Sequence, residues 1–139
     1  MADPVRSPPA ASDAAIRSVL QAYFNGLYTC DTEVLARAFH QRAIYATASS
    51  GELVHHTMDT YLPIVAARVS PASRGETRRD AILAIDLAGP VTALARVQCA
   101  IGDRFFTDLL TLVHVDDRWQ IIAKVFHYDI EPVPTSDDT

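Results

Sequence analysis

The chain has 139 residues, 49% of them hydrophobic and 21% charged, with a formal net charge of −5. That length is one domain's worth, enough for a real core, and the composition is that of a globular protein. The acidic balance argues against nucleic acid or an anionic membrane surface as partner, because phosphate binding needs a basic patch; no apolar run approaches the roughly 18 residues of a membrane span.

Residues 1–11 read as a polar tail carrying Pro4, Pro8 and Pro9, and residues 131–139 as a second tail with Pro132 and Pro134. A single domain is expected over 12–130. No charged-then-apolar leader is visible. Cys30 and Cys99 lie far apart without a CxxC pattern, so reduced thiols in a cytoplasmic protein are expected.

Ser12 is placed to cap a first helix, with Asp13 at its positive end. Ile16, Val19, Leu20, Tyr23, Phe24 and Leu27 then recur at helical spacing, up to Thr29 or Cys30. Asp31 caps a short second helix with Leu35, Ala38 and Phe39 inward. A strand over Ala43 to Ala48, a turn at Ser49-Ser50-Gly51 and a returning strand over Glu52 to His56 follow. A third helix carries Leu62, Val65, Ala66 and Val69. Its start is open between two caps: Thr57, which would put Pro63 where an N–H is needed, and Thr60, which would put Pro63 in the tolerated first turn.

Strands are expected over Thr77 to Leu87 and Val91 to Ile101, joined at Ala88-Gly89-Pro90. The chain closes on a hairpin, Phe105 to Val115 and Trp119 to Tyr128, around Asp116-Asp117-Arg118. With Val115 paired to Trp119, Leu110 faces Lys124 and Asp108 faces Phe126. Asp108 and Lys124 then lie diagonally on one sheet face. Helices first and an antiparallel meander later give an α+β class.

Tyr23-Phe24-Asn25-Gly26-Leu27-Tyr28 with Asp31, Leu35 through Phe39-His40, and Thr107 to Leu112 with Trp119 to Phe126 carry a resemblance. The chain resembles the family labelled putative lumazine-binding, within the nuclear-transport-factor-2-like (SnoaL-like) superfamily. The resemblance implies a cone: three N-terminal helices packed on a strongly curved antiparallel sheet. It also implies small-molecule binding, since the superfamily includes ketosteroid isomerases, polyketide cyclases, dehydratases and epoxide hydrolases. Against the isomerase pattern, Tyr23 falls at the oxyanion-binding tyrosine. The general-base position falls near Thr47, which cannot do that work. The second acid falls near Thr111 without a gap, and Asp108 replaces it only with an insertion.

The candidate catalytic set is Asp108, Lys124, His40 and Tyr23. Asp108 would be the acid or base, Lys124 would tune or orient it, and Tyr23 or His40 would donate a hydrogen bond. Each also has a bland reading: a self-satisfied ion pair, a histidine at home in the structure, a packed tyrosine. Tyr45, Tyr61, Leu110, Ile122 and Phe126 are expected to line an apolar pocket. Arg96 and Gln98 could meet a ligand, solvent or a partner. His55 and His56 are adjacent on a strand and point apart, so no metal is expected, and no cofactor motif is present. The expected function is binding of a small, partly apolar organic molecule, with cofactor-free dehydration, isomerisation or cyclisation as the possible chemistry. The alternative is a ligand-binding or dimerisation module without turnover. A homodimer through the convex sheet face, with Trp119, Val125 and His127 in the contact, is the expected assembly.

Overall fold

The computed structural model describes residues 10–131. Helix α1 (Ala10–Thr29) starts two residues before Ser12 and buries Ile16, Leu20, Tyr23, Phe24 and Leu27, the stripe its spacing dictates. The flanking segments 1–9 and 132–139, expected to be tails, lie outside the described residues. Cys30 takes a left-handed φ of 54° and ends α1. Asp31 then caps α2 (Thr32–Ala38), its Oδ1 accepting from the backbone N–H groups of Glu33 and Val34 at 3.1 and 3.2 Å. The two helices meet at Gly26, where a Cβ would stand 2.7 Å from Leu35 Cγ. Glycine is required there by close approach.

Strand β1 (Phe39–Thr47) leaves α2 directly, and β2 (Val54–Thr57) returns against it. Helix α3 (Met58–Ala66) follows without a loop. Its N-cap is Thr57 and Pro63 lies inside it, which decides between the two expected starts. Burial explains the choice: Met58, Tyr61 and Val65 turn inward together only if the helix includes Met58. A turn of 3₁₀ helix (Ala72–Arg74) leads to β3 (Ala81–Leu87), β4 (Thr92–Ile101), β5 (Arg104–Val115) and β6 (Arg118–Ile130).

The six strands form one sheet in the order β2-β1-β6-β5-β4-β3. It is not wholly antiparallel, as expected, because β1 runs parallel to β6. These two strands are far apart in sequence, so no tight turn forces opposite directions. The helices are also not all N-terminal, since α3 follows the first two strands. One sheet face is closed off: Ala93, Ala95, Val97 and Cys99 alternate inward along β4, and Leu94 and Arg96 outward.

The β5–β6 hairpin decides which side chains enter the cone. Val115 pairs with Arg118, not Trp119. The turn is therefore the two residues Asp116-Asp117, both left-handed at φ 55° and 62°, as a type I′ hairpin requires. A bulge between Thr111 and Leu112 then takes up one residue, Ile122, between the partners Ile121 and Ala123. Beyond it Leu110 faces Lys124 and Asp108 faces Phe126, as expected. Between turn and bulge the faces are exchanged. Trp119 and Ile121 are buried in their own chain and Ile122 is only half-buried. Trp119 is thus corrected from interface to core, and Ile122 from pocket lining to bulge.

Candidate functional site

On the inner face of β5, Phe106, Asp108 and Leu110 follow one another at period two; on β6, Lys124 and Phe126 do the same. Opposite them α1 presents Tyr23 and α3 presents Tyr61. Tyr23 and Asp108 are 0% exposed and Lys124 is 4% exposed, so the interior is closed rather than an open cleft.

Tyr23 Oη donates to Asp108 Oδ2 at 2.5 Å. The tyrosine thus meets Asp108, the partner that needs an insertion in the isomerase pattern, rather than Thr111. The other carboxylate oxygen, Asp108 Oδ1, is buried without a hydrogen-bond partner among the described residues, and so is Tyr61 Oη. A buried polar atom left unpaired costs about 1–3 kcal/mol, which sets these two oxygens apart from the other buried polar atoms of the cone.

Lys124 is the chain's only lysine. Its Nζ lies 4.9 Å from the centroid of Phe126, 5.2 Å from Tyr23, 5.4 Å from Tyr45, 5.6 Å from Tyr61 and 5.7 Å from Phe106. Among the described residues no carboxylate comes within ion-pair distance of it, so five ring faces carry much of the burden of solvating the ammonium. The cage is itself packed: Tyr45 stacks on Tyr61 at 4.5 Å and meets Phe126 edge-on at 4.8 Å.

Burial pushes Tyr23 well above the ordinary phenol range, and the Asp108 charge beside it adds to the shift, so Tyr23 stays a neutral donor. Burial likewise raises the Cys99 thiol, again with Asp108 contributing. Burial of Lys124 works against its charge. The phenol of Tyr61, the Asp108 carboxylate, Cys99 and Tyr45 outweigh it and hold the ammonium above the usual lysine range. The arrangement can therefore offer a ligand one free carboxylate oxygen, one free hydroxyl and one fixed cation within a ring-lined cage.

The other expected residues fall outside this cage. His40 is half-exposed, and its Nδ1 accepts from the Arg42 N–H at 3.0 Å, a bond within its own strand. Leu110 is buried beside Asp108. Thr47 donates to the Phe126 carbonyl at 2.7 Å and so ties β1 to β6. Arg96 is exposed on the outer face, and Gln98 donates to Thr107 Oγ1. His127 is exposed, between Ser49 and Asp129. His56 stacks on Tyr45 at 5.4 Å while His55 is exposed. Among the described residues no three metal-ligating side chains converge.

Phe106 and Cys99 are further neighbours of the cage, and the signal for Phe106 is its place two residues from Asp108 on the same strand. Arg68, whose Cζ lies 6.0 Å from the Tyr61 ring centroid, follows α3 in irregular chain, where no periodicity points to it.

The family described as "Putative lumazine-binding" matches residues 11–127. The chain belongs to this family. No curated protein matches it. Among solved structures, a nuclear-transport-factor-2-like protein of unknown function from Shewanella baltica is similar at a TM-score of 0.78 and 23% identity, over 94% of this chain and all of that one. One from Methylobacillus flagellatus gives 0.75 and 25%, over 88% of this chain and 96% of the other. One from Silicibacter pomeroyi gives 0.75 and 20%, over 88% and 100%. The fold of this family member is therefore the nuclear-transport-factor-2-like α+β cone. Among the described residues no helix is long and apolar enough to cross a membrane.

Proposed function

We propose that the cone binds a small carbonyl-bearing organic molecule and moves a proton on it without a cofactor. The observation that carries this reading is the pair of unpartnered buried oxygens, Asp108 Oδ1 and Tyr61 Oη, beside the caged Lys124 ammonium. In the reaction Asp108 Oδ1 takes a proton from the carbon next to the carbonyl. The C–H electron pair moves into the new C=C bond, and the carbonyl π pair moves onto oxygen. Lys124 Nζ and the Tyr61 hydroxyl hold that oxyanion. Tyr23 holds the carboxyl group in place. Return of the proton to another carbon gives isomerisation; its delivery to a departing hydroxyl gives dehydration. The family description names lumazine, a flat ring system with two carbonyls, which suits a ring-lined cage.

Proton abstraction can be read without knowing the product. A panel of small ketones, enones and lumazine in D₂O should include at least one compound whose exchangeable C–H signal is lost faster with the protein than in buffer. Asp108→Asn should abolish the difference. Binding without exchange would leave a carrier module. Neither binding nor exchange would favour the second reading, in which the ring-packed cage is a structural polar core; the closeness of five rings to Lys124 supports that alternative.

We also propose that the convex face pairs with a second copy of the chain. Leu94, Leu109 and Val125 on adjacent strands are 41%, 41% and 46% exposed there, next to half-buried Thr111. Val125 and His127 remain in the proposed contact, and Trp119 does not. Light scattering at micromolar concentration should give twice the monomer mass, and Val125→Glu should halve it. A parent protein that runs as a monomer defeats the proposal.

A further inference from the structure

A cavity that borders the cage at Phe106 is built from arginine. It measures about 260 Å³ and lies between the segment after α3 and the β4–β5 turn, lined by Arg68, Arg74, Arg104, Asp103 and Phe106 among others. Its charged residues are three cations and one anion, in a chain whose net charge is −5. Arg74 has Glu76 at 3.8 Å. Arg68 and Arg104 have no carboxylate within ion-pair distance among the described residues. They rest on ring faces instead, Arg104 at 4.6 Å from Tyr128 and Arg68 at 6.0 Å from Tyr61. Arg68 also reaches the Tyr45 hydroxyl, and the remaining N–H donors of the two guanidinium groups can take an anion.

Two rings join this vestibule to the cage. Phe106 lines the vestibule and stands 5.7 Å from Lys124 Nζ. Tyr61 lies 6.0 Å from Arg68 and 5.6 Å from Lys124. The outer cation and the inner one thus each lie within about 6 Å of the same Tyr61 ring. A neutral molecule gains nothing from the outer pair. A molecule with a carboxylate one ring away from its carbonyl or hydroxyl engages both.

We infer that the ligand is a planar, ring-sized organic monoanion. Its carboxylate sits between Arg68 and Arg104, its ring passes Phe106, and its polar end meets Asp108 Oδ1, Tyr61 Oη and Lys124 Nζ. Phe106 must turn aside to admit the ring. This inference rests on the interior being a ligand site and adds the charge and length of what enters.

The matched probes are 4-hydroxybenzoate and its methyl ester, which share a ring and a phenol and differ in the charge. NMR titration at low salt should show the acid binding at least ten-fold more tightly than the ester. The preference should shrink as salt is added. In Arg68→Gln/Arg104→Gln it should fall to parity while the ester's affinity stays as it was. Equal affinities in the parent protein overturn the inference, as does a preference that survives the double substitution, or failure of both probes to bind. Exchange of neutral carbonyl compounds into D₂O separates the two levels: if it persists and remains sensitive to Asp108→Asn, only the anionic ligand is wrong.

Discussion

Asp108→Asn should unfold about 3–5 kcal/mol more readily than the parent, because it leaves the Lys124 ammonium buried without the nearby carboxylate. Lys124→Met should cost a similar amount by stranding the carboxylate. The informative protein is the double substitution. Asparagine and methionine nearly preserve the volumes and remove both charges, so neither is left uncompensated. The double variant should therefore be less destabilised than the two single costs added together, by about 2 kcal/mol or more. Urea unfolding followed by Trp119 fluorescence measures all four proteins, since that single tryptophan is only 5% exposed in the native state. Strictly additive costs would show that Asp108 and Lys124 do not interact, and the acid–base pairing would lose its electrostatic basis.

Stability should fall steeply in alkali. Cys99 and Tyr23 are buried, and both are raised above their ordinary values of 9.0 and 10.0. For a raised group the folded chain keeps its proton after the unfolded chain has released it. Its contribution is complete below the unfolded value and is lost as pH climbs toward the folded one. The slope is about 1.4 kcal/mol per pH unit for each group. Cys99 acts above pH 9, Tyr23 and the partly buried Tyr45 join it above pH 10, and Lys124 joins above pH 10.5, for a loss of roughly 5 kcal/mol by pH 11. Tyr23→Phe should lower the slope above pH 10 by about 1.4 kcal/mol per pH unit while leaving the segment between 9 and 10 unchanged. Equal denaturation midpoints at pH 8 and pH 11 would contradict the burial argument.

What could be read ahead of the structure depended on whether the signal was local. The stripe from Ile16 to Leu27 is a helix because its apolar spacing admits little else. Asp31 announces its cap by position. The Asp108–Lys124 relation was legible for a subtler reason. Val115 was paired one residue too far along, and the bulge at Ile122 moves the chain by the same single residue. The two offsets cancel beyond the bulge and do not cancel before it. Asp108, Leu110, Lys124 and Phe126 therefore sit on the expected face, while Trp119 and Ile121 do not. No residue type marks Ile122 as the extra one, and Asp116-Asp117 lacks the glycine that usually announces a two-residue turn. The parallel pairing of β1 with β6 is a long-range choice with no local trace. At α3 the local signals conflict, a cap at Thr57 against the position of Pro63, and burial of Met58 and Tyr61 decides for Thr57. The cage tyrosines were visible as aromatic residues with polar tips, whereas the cavity at Arg68 and Arg104 depends on how two loops meet.

The placement of Lys124 also fixes how the outside of the protein behaves. Eleven arginines and one lysine make up its basic residues, and the lysine is in the core. The folded surface therefore offers no ε-amino group at all. Amine-directed cross-linkers and acyl donors find no lysine side chain until the sheet opens, and a lysine-specific endoprotease has one target, protected by the whole fold. Cleavage after residue 124 thus becomes a clock for global opening rather than for fraying of the ends.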